Sequence, residues 1–434
     1  MDSVTEEEFY NLGAASISIT PEPGVALYAL DGAIRTSDNL NSELMANSIV
    51  IRHDKELLVI VSLDLIWVDK EFTERVRAWI NLEYKNSKIH LLLVATHSHS
   101  TPQISNKICN FARPESSYLS FLYNQVCRVI DSALNNQDQC YAELSIAYPD
   151  LTVNRRKSIL SLSALKRGIF KSIIANRPNY RKAHDNSLYT VWFYDSKKRE
   201  KAVILNYACH PTLFRKNFVS ADFPGVVSNY LKRQLSEGVV VCFFQGFSGN
   251  IKANFIKSPC INYSGLLSYV YSCIFDRVQF NKNISQEQLN SFSIKLAKIA
   301  LERSNPKHVK PQLSFSSKII KLPLQTGVLS EYPDLEISYV SIGDKLKIVA
   351  LSGEIFSEYS LWLRGLLSHK EVDFLAVGYC NDMVGYIPTL NAIQAGGYEV
   401  ERVFSDFSHP SPFSVRIEGM IKKEIKILIN MSTV

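Results

Sequence analysis

Several features that mark specialised classes of protein are absent from this sequence. Its eight cysteines are scattered and show no C-x-x-C spacing. No run of about 18 apolar residues occurs, so no membrane-spanning helix is expected. There is also no repeat, heptad pattern or low-complexity tract. The chain therefore resembles an ordinary globular protein, and Cys209 and Cys242, which lie in apolar runs, are expected to be buried and reduced.

The sequence also lacks a large excess of charge of either sign. The 48 basic and 42 acidic residues give a net charge of +6, which is mild for 434 residues. The basic residues 197–199 lie in a predicted hairpin turn, so we expect no binding to nucleic acid. The N-terminal residues are acidic and lack the apolar segment of a secretory signal. We therefore expect a cytoplasmic protein.

Helix-type and strand-type patterns alternate along the chain. Hydrophobic residues make up 46% of the sequence, which is enough for a sizeable core. Helical spacing at 70–84 and 116–135 is separated by short apolar runs that are typical of strands. Neighbouring strands within 49–65 and 188–209 are joined by short turns, which favours a mixed sheet. We predict an α/β fold, a mixed β-sheet core flanked by helices, in a single domain spanning residues 1–434.

Three predicted strands end in polar residues of the kind that take part in catalysis. These strands cover residues 91–95, 202–209 and 238–244. The residues that follow them are His97 and His99, then His210, then Ser248. Polar side chains after a buried strand are a common way to build an active site. The recurrence of this arrangement predicts a functional site formed by the three strand ends.

His97 and His99 are two positions apart at a strand end, so on an extended strand they would face the same side. Two such imidazoles can share a metal ion, or one can bind the metal while the other transfers protons. The alternative is a pair of hydrogen-bonded polar residues that caps the strand. His210, which follows a strand, is a further candidate, although a lone histidine in such a place is more often structural. Glu354 is another, because a carboxylate after a buried strand needs a partner or a metal.

Ser248 offers a competing interpretation. Residues 246–250 partly match the G-x-S-x-G turn that carries the nucleophile of many serine hydrolases. A serine triad also needs a downstream histidine, and the downstream histidines are His308, His369 and His409. None of them follows a predicted strand in a loop suited to catalysis, although His409 is the least unfavourable. The pattern favours a metal site over a serine triad.

Short motifs, taken in order, resemble the N-terminal catalytic domain of the neutral and alkaline ceramidases. The matching segments are residues 18–21 (SITP), 61–65 (VSLDL), 95–100 (ATHSHS), 154–155 (NR), 208–211 (ACHP), 220–222 (SAD), 248–250 (SGN), 385–389 (GYIPT) and 397–399 (GYE). The segment at 95–100, for example, is similar to the family's ATHTHSGP. The ordered series, rather than any one motif, carries the resemblance.

The resemblance implies zinc-dependent hydrolysis of an N-acyl amide, with ceramide as one candidate substrate. The implied zinc ligands are His97, His210, Glu354 and Tyr386. The implied catalytic residues are His99, Arg155, Ser248 and Tyr398. His99 would carry a proton from water to the leaving amine, while Arg155 and Tyr398 would donate hydrogen bonds to the substrate or the oxyanion. The resemblance leaves open whether Ser248 is a nucleophile or a hydrogen-bond partner.

Two segments depart from the family pattern. Residues 101–104 replace a glycine-rich segment, and residues 156–159 replace the family's YLxNP. We also expect no C-terminal immunoglobulin-like domain. Because loops set substrate choice, we expect a small-molecule or lipid-like N-acyl amide other than ceramide to be preferred. Two alternatives remain, namely acyl transfer or ring closure at the same zinc site, and a non-catalytic binding protein. The sequence does not indicate the oligomeric state.

Overall fold

The computed structural model describes residues 9–431 with internal gaps. The gaps are residues 28–34, 38, 54, 86, 106–112, 162–167, 169, 215–216, 258–266, 268–269, 271–277 and 369–371. His369 and three of the cysteines (109, 260 and 273) lie outside the described residues.

The described secondary structure comprises twenty-two strands and eight α-helices. The strands are β1 (Tyr10–Ser18), β2 (Ala26–Leu27), β3 (Arg35–Thr36), β4 (Asn39–Leu40), β5 (Met45–His53), β6 (Glu56–Leu63), β7 (Lys88–Ala95), β8 (Gln137–Ala147), β9 (Thr152–Leu160), β10 (Ser172–Asn179), β11 (Leu188–Asp195), β12 (Glu200–Tyr207), β13 (Phe218–Val219), β14 (Val240–Gln245), β15 (Ile251–Ala253), β16 (Lys307–Val309), β17 (Leu313–Lys321), β18 (Asp334–Ile342), β19 (Leu346–Leu351), β20 (Glu354–Ile355), β21 (Asp373–Val377) and β22 (Tyr386–Ile387). The helices are α1 (Lys70–Glu83), α2 (Ser116–Leu134), α3 (Asp222–Gln234), α4 (Gln286–Leu301), α5 (Ser357–Leu367), α6 (Leu390–Ala395), α7 (Tyr398–Glu401) and α8 (Ile417–Met431).

Two main sheets form the framework. The larger has nine strands in the order β14-β12-β11-β8-β1-β5-β6-β7, with β16 paired to β8. Strands β6 and β7 are parallel, as are β12 and β14, and the other neighbours along this order are antiparallel. The smaller sheet has the order β17-β18-β19-β21. The large sheet is therefore mixed, as predicted.

Alternating side chains divide the core into layers. A cluster that includes Ile60, Ile204 and Ile348 lies between the two sheets, because these residues come from one face of each sheet. The opposite face of the large sheet packs on α1, α2, α3 and α4. The opposite face of the small sheet packs on α5 and α8. The order of layers is helices, sheet, sheet, helices, which confirms the predicted α/β class with flanking helices.

Side-chain hydrogen bonds cap the N-terminal ends of two of these helices. The Asp69 side chain accepts a hydrogen bond from the backbone N–H of Phe72 (2.9 Å) and so caps α1. Ser285 and Gln288 form a capping box at the start of α4. Helix α1 is predicted by its apolar spacing, whereas β1, β8, β9 and β10 were not predicted as strands.

The expected burial of two cysteines is confirmed. Cys209 and Cys242 are buried and free. Within the part of the chain that the structure describes, no helix is both long enough and apolar enough to cross a membrane.

Gly13 on β1 lies where α2 packs closest to the large sheet. A Cβ atom at this position would lie 1.8 Å from the carbonyl oxygen of Ala133 in α2, so Gly13→Ala forces the helix away from the strand. We expect the substitution to lower the free energy of unfolding by about 1–3 kcal/mol, measured by denaturant titration. The control is Gly365→Ala in α5, where the added Cβ has no neighbour within 4 Å. It should match or exceed wild-type stability, and equal stability of the two variants would contradict this packing argument.

Candidate metal and catalytic site

The site lies where the ends of several strands meet. The residues that follow β7, β12 and β14 are His97 and His99, then His210, then Ser248. Backbone hydrogen bonds link the strand ends, because Ala95 N–H donates to the Tyr379 carbonyl (3.1 Å) and Gly378 N–H donates to the Gln245 carbonyl (3.0 Å). Strands β7 and β14 are at opposite ends of the strand order of the large sheet, yet their ends converge here.

Three buried histidines meet at one point. The Nε2 atoms of His97 and His210 are 3.3 Å apart, those of His97 and His99 are 3.2 Å apart, and those of His99 and His210 are 3.1 Å apart. The Glu354 Oε2 atom lies 3.3 Å from the His97 Nε2 atom and 3.9 Å from that of His210. All four side chains are buried. Two of the proposed zinc ligands, His97 and His210, are thus adjacent to a third, Glu354.

This cluster has the dimensions of a metal site. Ligand atoms about 2.0 Å from a tetrahedral zinc ion are separated from one another by about 3.3 Å. Three mutually close nitrogens cannot all be satisfied by hydrogen bonds among themselves, because each contact needs one donor and one acceptor. Three buried imidazoles and a carboxylate can therefore hold a divalent cation, and the residues present fit the predicted metal.

The backbone that carries His97 and His99 differs from the extended strand that the sequence suggested. Strand β7 ends at Ala95, and His97 has φ of +66°, so His97 and His99 do not lie on one extended strand. A left-handed conformation is rare for a histidine and is often found at functional sites. The His97 Nδ1 atom lies 2.8 Å from the Ile66 carbonyl oxygen. This contact places the proton on Nδ1 and leaves the Nε2 lone pair facing the cluster.

Glu354 and Tyr386 are adjacent on short parallel strands. Residue 354 of β20 pairs directly with residue 386 of β22, so the two side chains start from neighbouring backbone positions. The Tyr386 hydroxyl accepts a hydrogen bond from Arg155 Nη2 (3.1 Å). Burial and the charge of Glu354 raise the pKa of Tyr386 well above its usual value. Tyr386 is therefore a neutral phenol here, and it must lose a proton to bind a metal as an anion.

His210 has the opposite requirement, because a histidine binds metal in its neutral form. Burial, together with the charges of Arg155, His97 and His99, holds the pKa of His210 well below its usual value. The ring is thus neutral at physiological pH and keeps an unprotonated nitrogen for a metal.

Arg155, on β9, lies beside the cluster of histidines and Glu354. Its Nη2 atom donates to the Gly249 carbonyl (2.7 Å) and to Tyr386, and its Nε atom donates to Glu399 (3.1 Å). Glu399 also accepts a hydrogen bond from Arg156. Burial alone raises the pKa of Glu399, but the charges of Arg155 and Arg156 outweigh it and keep the pKa below its usual value.

Tyr398, immediately before Glu399, is 46% exposed at the start of α7. Burial of part of the side chain, with the charges of Asp406 and Glu354, raises the pKa of Tyr398 to about 12. The hydroxyl therefore stays protonated at neutral pH and can donate a hydrogen bond.

Ser248 is buried. Its hydroxyl accepts a hydrogen bond from Gln245 Nε2 (2.5 Å) and lies 3.0 Å from the Tyr379 hydroxyl. Among the histidines named as triad partners, His308 lies on β16 and His409 lies 2.9 Å from the Val384 carbonyl oxygen through Nε2. The hydrogen-bond partners of Ser248 are thus an amide and a phenol.

Three further residues of the site had not been singled out from the sequence. Tyr379 stacks on His97, and Arg156 and Glu399 hold Arg155 in place. The signal for Tyr379 in the sequence was its position just after the apolar run that forms β21. Glu399 follows directly after the predicted Tyr398.

Comparison with known proteins assigns the family. The sequence profile described as "Neutral/alkaline non-lysosomal ceramidase, N-terminal" matches residues 10–291, more than half of the chain. The chain belongs to this family. Membership supports a hydrolase that acts on an amide bond. No curated protein sequence matches this ceramidase-family protein.

Two solved structures share the fold of this ceramidase-family protein. A structure described as neutral ceramidase from Pseudomonas aeruginosa has a TM-score of 0.70 at 16% identity, over 91% of this chain and 71% of that chain. A structure described as "Ceramidase complexed with C2" has a TM-score of 0.73 at 14% identity, over 96% of this chain and 74% of that chain. At these identities the likeness establishes the fold.

Glu399→Gln tests the electrostatics of the arginine pair. Removing the carboxylate leaves two buried guanidinium groups without their counter-charge, so we expect a loss of about 3–5 kcal/mol in the free energy of unfolding at pH 7. Because the folded-state pKa of Glu399 is lowered, its stabilisation is complete above the unfolded value of about 4.5 and is lost as the pH falls through the folded value. The difference between wild type and variant should therefore shrink below pH 4.5.

The control is Glu424→Gln, which breaks an ion pair with the half-exposed Lys318 (2.7 Å) and should cost less than about 1 kcal/mol. Equal effects of the two substitutions, or a difference that does not depend on pH, would contradict the argument.

Proposed function

We propose that this ceramidase-family protein is a zinc-dependent hydrolase of N-acyl amides. The observation that carries the proposal is the convergence of three buried imidazole Nε2 atoms and the Glu354 carboxylate at one point. The zinc ligands in this proposal are His97, His210, Glu354 and Tyr386. A zinc ion in such a site lowers the pKa of water to about 7 and polarises a carbonyl group.

His99 is the proton carrier in the proposed reaction. Its Nε2 atom lies 3.1 Å from that of His210 and 3.2 Å from that of His97, so a water molecule held at these nitrogens would be within reach of the His99 imidazole. A neutral imidazole there accepts a proton from water and delivers it to the leaving amine, which must be protonated to depart. The same short distances make direct metal binding by His99 the competing assignment.

Arg155 and Tyr398 stabilise the charge that forms on the carbonyl oxygen. The hydrogen bonds of Arg155 to Glu399, Gly249 and Tyr386 use Nε and Nη2, which leaves Nη1 as the nitrogen that donates to a bound substrate. The protonated Tyr398 hydroxyl supplies a second donor. A rigidly held, buried donor such as Arg155 stabilises a developing negative charge far better than water does, and the half-exposed Tyr398 would add a weaker contribution.

Metal content tests the assignment of the ligands. We expect about one zinc ion per chain in wild type, and loss of this zinc in His97→Ala and His210→Ala, because each variant removes a ligand at a buried site. Elemental analysis measures the zinc, and circular dichroism verifies that the variants are folded. His99→Ala should keep the zinc while activity falls by about 100-fold or more, as for loss of a general acid–base group.

Tyr386→Phe is the matched comparison for His99→Ala. It should weaken zinc binding if the phenolate is a ligand. Full zinc occupancy in both His97→Ala and His210→Ala would overturn the site. Loss of zinc in His99→Ala, together with full retention in Tyr386→Phe, would exchange the roles of these two residues.

We further propose that a cavity near His210 holds part of the substrate. Its volume is about 360 Å³, and the side chains that line it include Arg177, Thr212, Lys252, Phe255, Phe280 and Lys282. Residue 252 forms a β-bridge with residue 210, so one wall of the cavity is a backbone neighbour of His210, although the histidine side chains themselves do not line it. The cationic lining favours a substrate with a negative group, such as an N-acyl amino acid, over the neutral head of ceramide.

We therefore expect kcat/KM for long-chain N-acyl amino acids to exceed that for ceramide in mixed micelles by about tenfold or more. One hydrogen bond to a charged group contributes about 1.5 kcal/mol, which corresponds to that factor. The measurement compares both substrates with a neutral N-acyl amine of the same chain length.

Lys282→Gln provides the matched variant for this comparison. It should lower kcat/KM for the N-acyl amino acid and leave the neutral amide unchanged. Ceramide turnover well above that of all the soluble amides would refute the substrate assignment without affecting the metal site.

A further inference from the structure

We propose that Tyr379 positions Glu354 for metal binding, at the end of a hydrogen-bond relay that runs from Gln245 through Ser248. The proposal rests on the proposed metal site and assigns this site a positioning residue. It also gives Ser248 the role of a hydrogen-bond link between Gln245 and Tyr379, instead of that of a nucleophile.

The backbone of Tyr379 joins the two halves of the site. Its N–H donates to the Gly353 carbonyl (3.0 Å), directly before Glu354, and its carbonyl accepts from Ala95 N–H (3.1 Å), two residues before His97. Tyr379 has φ of +57°, an unusual conformation for a tyrosine that the surrounding structure must hold in place. A single residue thus links the segment that carries Glu354 to the segment that carries His97.

The aromatic ring of Tyr379 adds a second contact to this arrangement. It stacks on the His97 imidazole with ring centroids 4.0 Å apart and an angle of 29° between the planes. Both side chains are buried, so the tyrosine limits the rotation of the imidazole on one face. The Ile66 carbonyl restrains the same imidazole through Nδ1.

The hydroxyl groups form a chain with one consistent direction. Gln245 Nε2 donates to Ser248 Oγ (2.5 Å), so the single hydrogen of Ser248 is free to point to the Tyr379 hydroxyl (3.0 Å). The Tyr379 hydroxyl in turn donates to Glu354 Oε2 (3.5 Å), which as a carboxylate only accepts. Gln245 Nε2 is itself held by the Cys209 carbonyl (2.7 Å), next to His210. The relay therefore connects the end of β14 with the residue before His210 and with Glu354.

This arrangement has a direct consequence for metal affinity. Hydrogen bonds from neighbouring groups orient a ligand carboxylate, and their removal typically lowers metal affinity or activity by about 10–100-fold. Within the relay, the hydrogen of Ser248 is directed to Tyr379 and not to an imidazole that could accept it, as a nucleophilic serine would require.

Tyr379→Phe tests the proposal because it keeps the stacked ring and removes only the hydroxyl. We expect its zinc affinity, measured by competition with a chelating dye, to fall by about 10–100-fold relative to wild type. The control is Tyr118→Phe in α2, which also removes a buried hydroxyl, one that donates to the Ile19 carbonyl (3.0 Å). This variant should bind zinc like wild type, and thermal unfolding of both metal-free variants corrects for any general loss of stability.

Ser248→Ala provides the second readout. If the relay operates, this variant also binds zinc more weakly, and the Ser248→Ala/Tyr379→Phe double variant is little worse than either single variant, because both changes interrupt one chain. Tyr379→Phe with the zinc affinity of Tyr118→Phe would overturn the proposal. Ser248→Ala with unchanged zinc affinity and no activity would do the same, and would restore the nucleophile. Because zinc affinity is measured without turnover, a wild type that binds zinc but hydrolyses no amide would contradict the proposed function alone.

Discussion

The rest of this structure depends on one buried cluster of three imidazoles and a carboxylate, which needs a cation or other partners to satisfy its polar atoms. The Nε2 atoms of His97, His99 and His210 lie within 3.3 Å of one another, and the Glu354 carboxylate lies beside them. Polar atoms in a dry interior are costly unless each has a partner, and imidazoles that face one another cannot all be partners. A cation bound by His97, His210 and Glu354, as we propose, would satisfy these ligand atoms and leave His99 beside them as the proposed proton carrier. The surrounding segments have to hold these side chains in place even before a metal arrives.

Both sheets contribute to that point. The loops after β7 and β12 of the large sheet carry the histidines, whereas Glu354 follows β19 of the small sheet and pairs through β20 with Tyr386. The apolar cluster between the sheets brings these loops together, so the packing of the core also sets the geometry of the site. A change that separates the sheets would therefore also alter the distances among these side chains.

Rigid support is the common property of the residues around the cluster. Glu399 neutralises Arg155 and Arg156 and fixes the direction of the Arg155 guanidinium. Tyr379 braces His97 from one side and reaches Glu354 through its hydroxyl. Groups that are already oriented need little reorganisation when charge develops on a substrate, which is the main way in which a polar site accelerates a reaction. The cationic cavity near His210 is separate from this support, and it is there that we propose the negative group of the substrate binds.

The sequence by itself determined the local features of this protein. Apolar spacing predicted α1 and α2, short apolar runs predicted the strands before His97, His210 and Ser248, and ordered motifs identified the family. Arg155 and Tyr386 came only from the motif matches, and Tyr379 and Glu399 were not singled out. Hydrophobic patterns report that a residue is buried, but they do not report which residue it is buried against.

The tertiary structure decided which strand ends meet. Strands β7 and β14 stand at opposite ends of the strand order, and the contacts that join their ends pass through Tyr379, more than 130 residues from Gln245. His97 and His99 face the cluster because the backbone turns sharply at His97, not because the strand stays extended as the sequence suggested. Such contacts depend on how the two sheets stack, and stacking is set by the whole core rather than by any segment.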